Sequence, residues 1–329
     1  MIGAGVTRAR RFVTQRSPGA QPGPRIGPIM KNKTPLRNVL AAAMLGASLF
    51  AAATAQAVDW NAPQEPFAIY GNTYYVGTGG LSSVLITSKA GHILVDGATH
   101  QAPAQIVQHI RQLGFRVEDV RYILTSHEHF DHAGGIAELQ KLSGAIVLAS
   151  PAALEVLRSG LPDKGDPQYT GLKDDPMTPI AAASLRAVRD GEVIKLGPLA
   201  VTAHHTPGHT RGGTSWSWRS VEGGKMADIV YADSLNAVAA DGARFDGNPG
   251  YPTARADLER SMARVTALKC DVLVSAHPEF SGLWERKARQ PKLGNAAFID
   301  GQACKAYVAK ARERLAKRLE TDRKTPTAK

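Results

Sequence analysis

The chain has 329 residues, 43% of them hydrophobic, which is ample for a real core, and a formal charge of +11. That charge belongs to one end: residues 1–57 hold eight of the 40 Lys and Arg and none of the 29 Asp and Glu, so the rest stands at 32 basic against 29 acidic, or +3. A body so nearly balanced argues against a nucleic-acid partner, which needs concentrated positive charge to displace counterions from phosphate.

In chain order, Met30, Lys31, Lys33 and Arg37 precede an apolar run from Val39 to Ala53 and then Ala55-Gln56-Ala57, a small-x-small cleavage pattern. A cleavable secretory signal peptide is expected over 30–57, with the periplasm as destination. The run falls short of the roughly 20 residues a spanning helix needs, so no stable membrane anchor is expected. Residues 1–29, rich in Arg, Pro and Gly, read as an untranslated or disordered extension, with Met30 the preferred start. Arg10-Arg11 leads into Pro and Gly instead of an apolar segment and is not taken as a twin-arginine signal. The only cysteines are Cys270 and Cys304; in an exported chain an even count predicts one disulfide, tying a C-terminal helix to the element before His277.

From Phe67 short strands are expected at Phe67–Tyr70, Thr73–Val76, Ser83–Thr87 and His92–Asp96, separated by the turn signals Gly71-Asn72, Gly79-Gly80 and Ala90-Gly91. Ile106, Val107, Ile110 and Leu113 share one face of a helix over Pro103–Leu113. A strand at Val120–Leu124, a helix from Gly134-Gly135 through Leu142, a strand at Ala145–Ala149 and a helix at Pro151–Ser159 follow. Gly160–Pro179 is rich in Gly, Pro and Asp without periodicity and reads as a long surface loop or lid, with Tyr169 and Leu172 on it. Beyond it come a hairpin at Val193–Leu196 and Leu199–His204, strands at Thr214–Trp218, Ile229–Ala232 and Asp271–Ser275, and helices at Thr253–Leu268 and Gly301–Glu320. No repeat or linker divides residues 58–329, which are read as one domain in which two sheets pack together with helices outside.

Ser126-His127-Glu128-His129-Phe130-Asp131-His132-Ala133-Gly134-Gly135 places three histidines and an aspartate within six residues, directly after an expected strand. In extended chain His127 and His129 point the same way and can meet one ion, while Asp131 and His132, past the bend, can reach a second. Imidazoles with a single carboxylate suit zinc and leave a position open for water. Thr206-Pro207-Gly208-His209-Thr210 supplies a further imidazole on a tight turn, preferred to His204 and His205 before it, and Ser275-Ala276-His277-Pro278 another just past a buried strand. Spacing alone does not assign these residues to sites.

Together the HxHxDH segment, the TPGHT turn and the late SAHP histidine resemble the metallo-β-lactamase superfamily. More narrowly, residues 71–78, 93–97, 126–135 and 231–235 and the cysteine pair resemble its subclass B3, over essentially Trp60 to Tyr307. The resemblance implies an α+β fold, an αββα four-layer sandwich of two mixed sheets with helices on the outer faces. It implies two Zn2+ per subunit, the first held by His127, His129 and His209 and the second by Asp131, His132 and His277. It also implies hydrolysis of the amide bond of β-lactam antibiotics by a monomer. Asp131 would be the catalytic residue that orients the attacking water, no acyl-enzyme being needed, and Ser234 and Asn236 would meet the substrate carboxylate. Asp233, near where thioesterases of the glyoxalase II type carry a metal-bridging aspartate, is left outside the ligand set. Glu128 departs from the small residue or glutamine of many relatives, and is read either as solvated or as altering charge at the pocket mouth. The alternative is another hydrolase on the same fold, a lactonase or glyoxalase II-like thioesterase.

Overall fold

A computed structural model describes residues 59–325; the 1–29 extension and the signal peptide over 30–57 lie outside the described residues. The first sheet has seven strands, taken in order from one edge to the other: β1 (Phe67–Tyr70), β2 (Thr73–Tyr75), β3 (Val84–Ile86), β4 (His92–Val95), β5 (Val120–Leu124), β6 (Ile146–Ala149) and β7 (Leu185–Ala187). The meander β1–β4 is antiparallel, and β4 to β7 are parallel. Parallel neighbours need a crossover, and helices α1 (Pro103–Gln112), α2 (Phe130–Ala133), α3 (Ile136–Ser143), α4 (Pro151–Ser159) and the single turn α5 (Tyr169–Leu172) fall in those connections. The start of α4 follows from its sequence: Ser150 accepts a hydrogen bond from the Ala153 amide, Pro151 opens the first turn, and Gly160 ends it at φ 71°.

The second sheet runs β12-β11-β10-β9-β8 across its width, with β8 (Val193–Leu196), β9 (Leu199–His205), β10 (Thr214–Glu222), β11 (Lys225–Ala232) and β12 (Val272–Ser275). Only β11 and β12 are parallel, joined through α6 (Ala254–Ala267); α7 (Leu283–Leu293) and α8 (Ala303–Lys324) complete the described chain.

Alternation along the strands makes the four layers. Ile93 and Val95 face the second sheet, in one core with Val201, Trp216, Ile229 and Val274, while Leu94 between them packs with Ile106, Ile110 and Ile136 of α1 and α3. In the second sheet Val230 and Leu273 turn outward onto Leu258 and Met262 of α6 and Tyr307, Val308 and Ala311 of α8. Two tryptophans tie the sheets where they meet: Trp216 donates from Nε1 to the Thr125 carbonyl at 3.1 Å and Trp218 to Thr73 Oγ1 at 3.0 Å, so neither indole is left unpaired. Cys270 and Cys304 are joined in a disulfide that fastens α8 beside the start of β12.

The structure departs from the expected elements at four places. The hairpin β10–β11 is longer than expected at both arms, because Gly223 and Gly224, at φ 55° and 77°, form a two-residue turn that keeps Glu222 opposite Lys225. Neither the edge strand β7 nor α7 was expected: β7 is largely exposed, and of the eleven residues of α7 only Leu283 and Arg286 are buried, so neither shows an apolar period. The expected loop at 160–179 contains the helical turn α5.

Candidate metal centre

Four strand ends converge at one edge of the sandwich, and each delivers part of the site. β5 runs into Thr125, Ser126 and His127; β9 into the 206–210 turn; β11 into Asp233 to Asn236; and β12 into His277. Asp96, at the end of β4 with φ 60°, is the buried hub: its carboxylate accepts hydrogen bonds from the Ser126 amide (2.6 Å), the Ser126 hydroxyl (2.6 Å) and the Tyr231 hydroxyl (2.7 Å). One side chain thus locks the segment leaving β5 to a strand of the opposite sheet. After His129 the chain turns at once into α2, held by the Ala133 amide on the His129 carbonyl at 2.8 Å, and this bend turns Asp131 and His132 toward His277 while the His132 ring stays beside that of His127.

The first cluster is a triangle of imidazoles. Ring centroids of His127, His129 and His209 lie 5.0, 4.8 and 4.9 Å apart, with all three residues buried. Each ring has one nitrogen committed to an oxygen behind it: His127 Nδ1 donates to Asp233 Oδ1 at 2.9 Å, His129 Nε2 to Asp166 Oδ2 at 2.8 Å, and His209 Nδ1 to the Asn236 carbonyl at 2.9 Å. Fixing one nitrogen as the donor leaves the other as a lone pair, His127 Nε2 and His209 Nε2 with His129 Nδ1, which is the tautomer a metal requires.

His127 Nε2 is buried with no hydrogen-bond partner. A neutral ring nitrogen stranded beside two other imidazoles is costly without something to coordinate, so the donor set fits a divalent cation. Burial together with the neighbouring imidazoles pushes the His127 pKa well below its ordinary value. Burial likewise brings His209 down to about 3.

The second cluster adjoins it. His132 Nε2 is 3.1 Å from His277 Nε2 and 3.1 Å from Asp131 Oδ2, and His277 Nε2 is 3.4 Å from the same oxygen. Burial disfavours charge on Asp131, but the two imidazoles outweigh it and hold its carboxyl well below the usual range. His132, opposed by burial and raised by Asp131, moves up to about 10. Three donor atoms crowded about one point, one of them anionic, again suit a cation. The rings of His127 and His132 are 4.2 Å apart, so the two clusters are adjacent.

The six residues expected as ligands are therefore together. His204 lies outside both clusters, with Nε2 on Ser217 Oγ at 2.7 Å. Ser234 is buried at the end of β11 with its hydroxyl unpartnered. Asn236 gives its backbone carbonyl to His209 and its side-chain oxygen to Arg314 Nε at 2.6 Å. Glu128 is not solvated: it is buried beside the narrow cavity next to His129, and accepts from Thr210 Oγ1 at 2.9 Å and the Gly212 amide at 3.0 Å, strapping the 206–210 turn to the HxHxDH segment. The solvated reading failed because nothing local to residue 128 shows that residues 210 and 212 fold over it. Asp166 was missed for the same reason; its only sequence signal was its place in a loop thought to border a site.

The family model described as the metallo-beta-lactamase superfamily matches residues 76–277. Among solved structures, MEM-A1, a subclass B3 metallo-beta-lactamase isolated from a soil metagenome library, is 62% identical, with a TM-score of 0.79, covering 82% of this chain and 100% of that one. Rm3 metallo-beta-lactamase is 50% identical with a TM-score of 0.78, covering 80% of this chain and 97% of that one. MIM-1 from Novosphingobium pentaromativorans is 41% identical with a TM-score of 0.74, covering 82% and 94%. Of curated relatives, the hydroxyacylglutathione hydrolase of Pseudomonas paraeruginosa is 30% identical over 159 residues, 48% of this chain and 47% of that one. The one from Maricaulis maris is 29% identical over 190 residues, 56% of this chain and 60% of that one. This chain thus spans about half the length of the curated relatives it matches. A family model that spans well over half of the described residues, and a B3 structure matched over its whole length, lead to one assignment: the chain belongs to the metallo-beta-lactamase superfamily and, within it, to subclass B3.

Proposed function

We propose that this chain is a zinc-dependent β-lactamase that opens the amide bond of penicillins, cephalosporins and carbapenems, and so confers antibiotic resistance. The observation that carries the reading is the pair of adjacent donor clusters at one sheet edge, in a chain 62% identical to a B3 enzyme over that enzyme's full length. His127, His129 and His209 would hold the first of two zinc ions, and Asp131, His132 and His277 the second. When bound, the pair supplies Lewis acidity toward the lactam carbonyl and lowers the pKa of a water toward neutrality.

The protein's own part is positioning. Asp131, kept ionised between His132 and His277, accepts a hydrogen bond from the attacking water and turns a lone pair toward the carbonyl. With water as the nucleophile no covalent acyl-enzyme forms. Ser234, whose buried hydroxyl has no partner, is assigned to the substrate carboxylate. Asn236 is assigned beside it, its Arg314 contact leaving the amide nitrogen to donate.

The second reading, a thioesterase like the curated relatives, has one observation against it. Asp233 lies behind His127, with Oδ1 on Nδ1, instead of between the clusters as a bridging carboxylate would. Export to the periplasm is supported by the leader pattern at 30–57 and by the disulfide. Among the described residues no helix is long and apolar enough to cross a membrane, and the protein is taken to act as a monomer.

The test is an assay of the purified protein against a penicillin, a cephalosporin, a carbapenem, a homoserine lactone and a glutathione thioester, each with and without a chelator. Chelator-sensitive opening of the lactams with little thioester cleavage is expected. The opposite profile would overturn the assignment.

A further inference from the structure

The outward nitrogens of the three first-cluster imidazoles are not held alike. Those of His127 and His209 rest on Asp233 and on the Asn236 carbonyl, both from the segment leaving β11. That of His129 rests on Asp166, which belongs to the 160–179 loop, outside both sheets. The Asp166 carboxylate is itself well fixed, with Oδ1 accepting from the Gln168 amide at 2.6 Å and the residue's own amide on the Asp163 carbonyl at 3.0 Å.

The loop is latched to the rest of the molecule by few contacts. Arg211, two residues beyond His209, donates to Asp163 Oδ2 at 2.5 Å and to the Gly250 carbonyl, with its guanidinium 4.7 Å from the centre of the Tyr251 ring. The Ala240 amide adds one bond to the Pro167 carbonyl at 3.0 Å. Between the loop and the site runs a narrow cavity bounded by Glu128, His129, Asp166, Leu172 and Met177. No strand pairing holds the loop over His129: beyond the contacts of Arg211 and the one backbone bond to Pro167, it is seated by the buried Asp166 and Pro167 and by Met177 packed on the helix-side core, so displacing it leaves the pairing in both sheets intact.

We propose that Asp166 is a positioning residue through which the 160–179 loop and the first metal site strengthen each other: a seated loop fixes His129 with Nδ1 inward, and a bound metal holds the loop seated. This rests on the metal-site reading above. A carboxylate accepting the far N–H of a metal-bound imidazole fixes its tautomer and raises its basicity, and losing such a partner weakens metal binding by about 10–100-fold. Because coupling between two equilibria is reciprocal, whatever the loop adds to metal affinity the metal returns as loop order.

The experiment measures zinc affinity by competition with a chromophoric chelator, and amide hydrogen exchange across 160–179 in chelator-treated and zinc-loaded protein, for the wild type, Asp166→Ala, Asp166→Asn and Arg211→Lys. Zinc is expected to slow exchange across the loop of the wild type. D166A is expected to lose that response and to bind zinc at the His127–His129–His209 cluster about 10–100-fold more weakly. D166N, whose side-chain oxygen still accepts from Nε2, should lose less, and it carries the test if D166A fails to fold. R211K, which leaves Asp166 and the imidazoles untouched, should speed exchange across the loop and weaken zinc by a smaller factor. Wild-type zinc affinity in folded D166A and D166N, or an undiminished response of the loop to zinc in both, would overturn the inference while leaving the metal site standing. A wild type that binds no zinc would remove the metal-site reading and this inference with it.

Discussion

In the proposed reaction Asp131 is one side chain with two uses. Its carboxylate lies between His132 Nε2 and His277 Nε2, so the charge that would help hold a cation would also let it accept a hydrogen bond from the attacking water. Asp131→Asn keeps the volume and removes the charge. The expected outcome is a fall in kcat of about 10²–10⁴-fold, measured with a chromogenic cephalosporin in zinc-supplemented buffer. An undiminished kcat would remove Asp131 from the reacting centre. Gly208 makes a different point about the single residue. Its φ is 135°, and a Cβ there would lie 2.4 Å from the Leu258 amide nitrogen of α6, so the turn that aims His209 admits only glycine. Gly208→Ala should destabilise the fold by about 1–3 kcal/mol, read by urea unfolding, and displace His209. Both residues stand inside motifs quoted from the sequence, and both were legible there: TPGHT and HxHxDH carry their geometry locally. Glu128 and Asp166 were not, because what each does depends on partners 82 and 37 positions away that meet only once the sheets have packed.

At the scale of elements, legibility followed burial. β3, β4, β5, β6 and β12 are buried through most of their length and announce themselves as short apolar runs; α1 and α4 carry one apolar face and a proline at the first turn. The outer arms of β10 and β11 reach past Trp218 into solvent, where Arg219, Val221, Lys225 and Met226 are exposed and pairing is dictated by the Gly223-Gly224 turn instead of by a core. A pattern reading that stops at the last buried residue therefore ends those strands too soon.

The disulfide is the element-scale device with a measurable consequence. It closes a separation of 34 residues and joins α8 to the start of β12, the strand whose end carries His277. Loop-closure entropy for that separation corresponds to about 3–4 kcal/mol. Replacing both cysteines by serine should lower Tm by roughly 10 °C, with the zinc-loaded protein still active at room temperature. A Tm unchanged by the double substitution would show that the packing of Tyr307, Val308 and Ala311 on the second sheet holds α8 without it.

For the whole molecule, the site is a convergence of four strand ends from two sheets, and this ties metal binding to folding. The His127, Asp131, His132 and His129 donors come from the first sheet's edge, His209 and His277 from the second's. A cation held by these residues would bind the folded chain and would find no comparable site in the unfolded one, where the side chains lie spread over about 150 residues of sequence. Binding of that kind raises stability by RT ln(1 + [L]/Kd), about 4 kcal/mol at a free zinc concentration a thousandfold above Kd. Chelator-treated protein should therefore melt lower than zinc-supplied protein, and Tm should climb with the logarithm of added zinc. His209→Ala separates this from a general salt effect. It removes the second sheet's donor to the first cluster, and should flatten much of that climb while leaving the sandwich core untouched. The measurement is a pair of zinc titrations followed by thermal melting, wild type against H209A, at constant ionic strength. A wild-type Tm that ignores zinc would mean that the two sheets need no cation to hold their imidazoles together, whereas equal slopes for the two proteins would place the stabilising ion away from the His127–His129–His209 triangle.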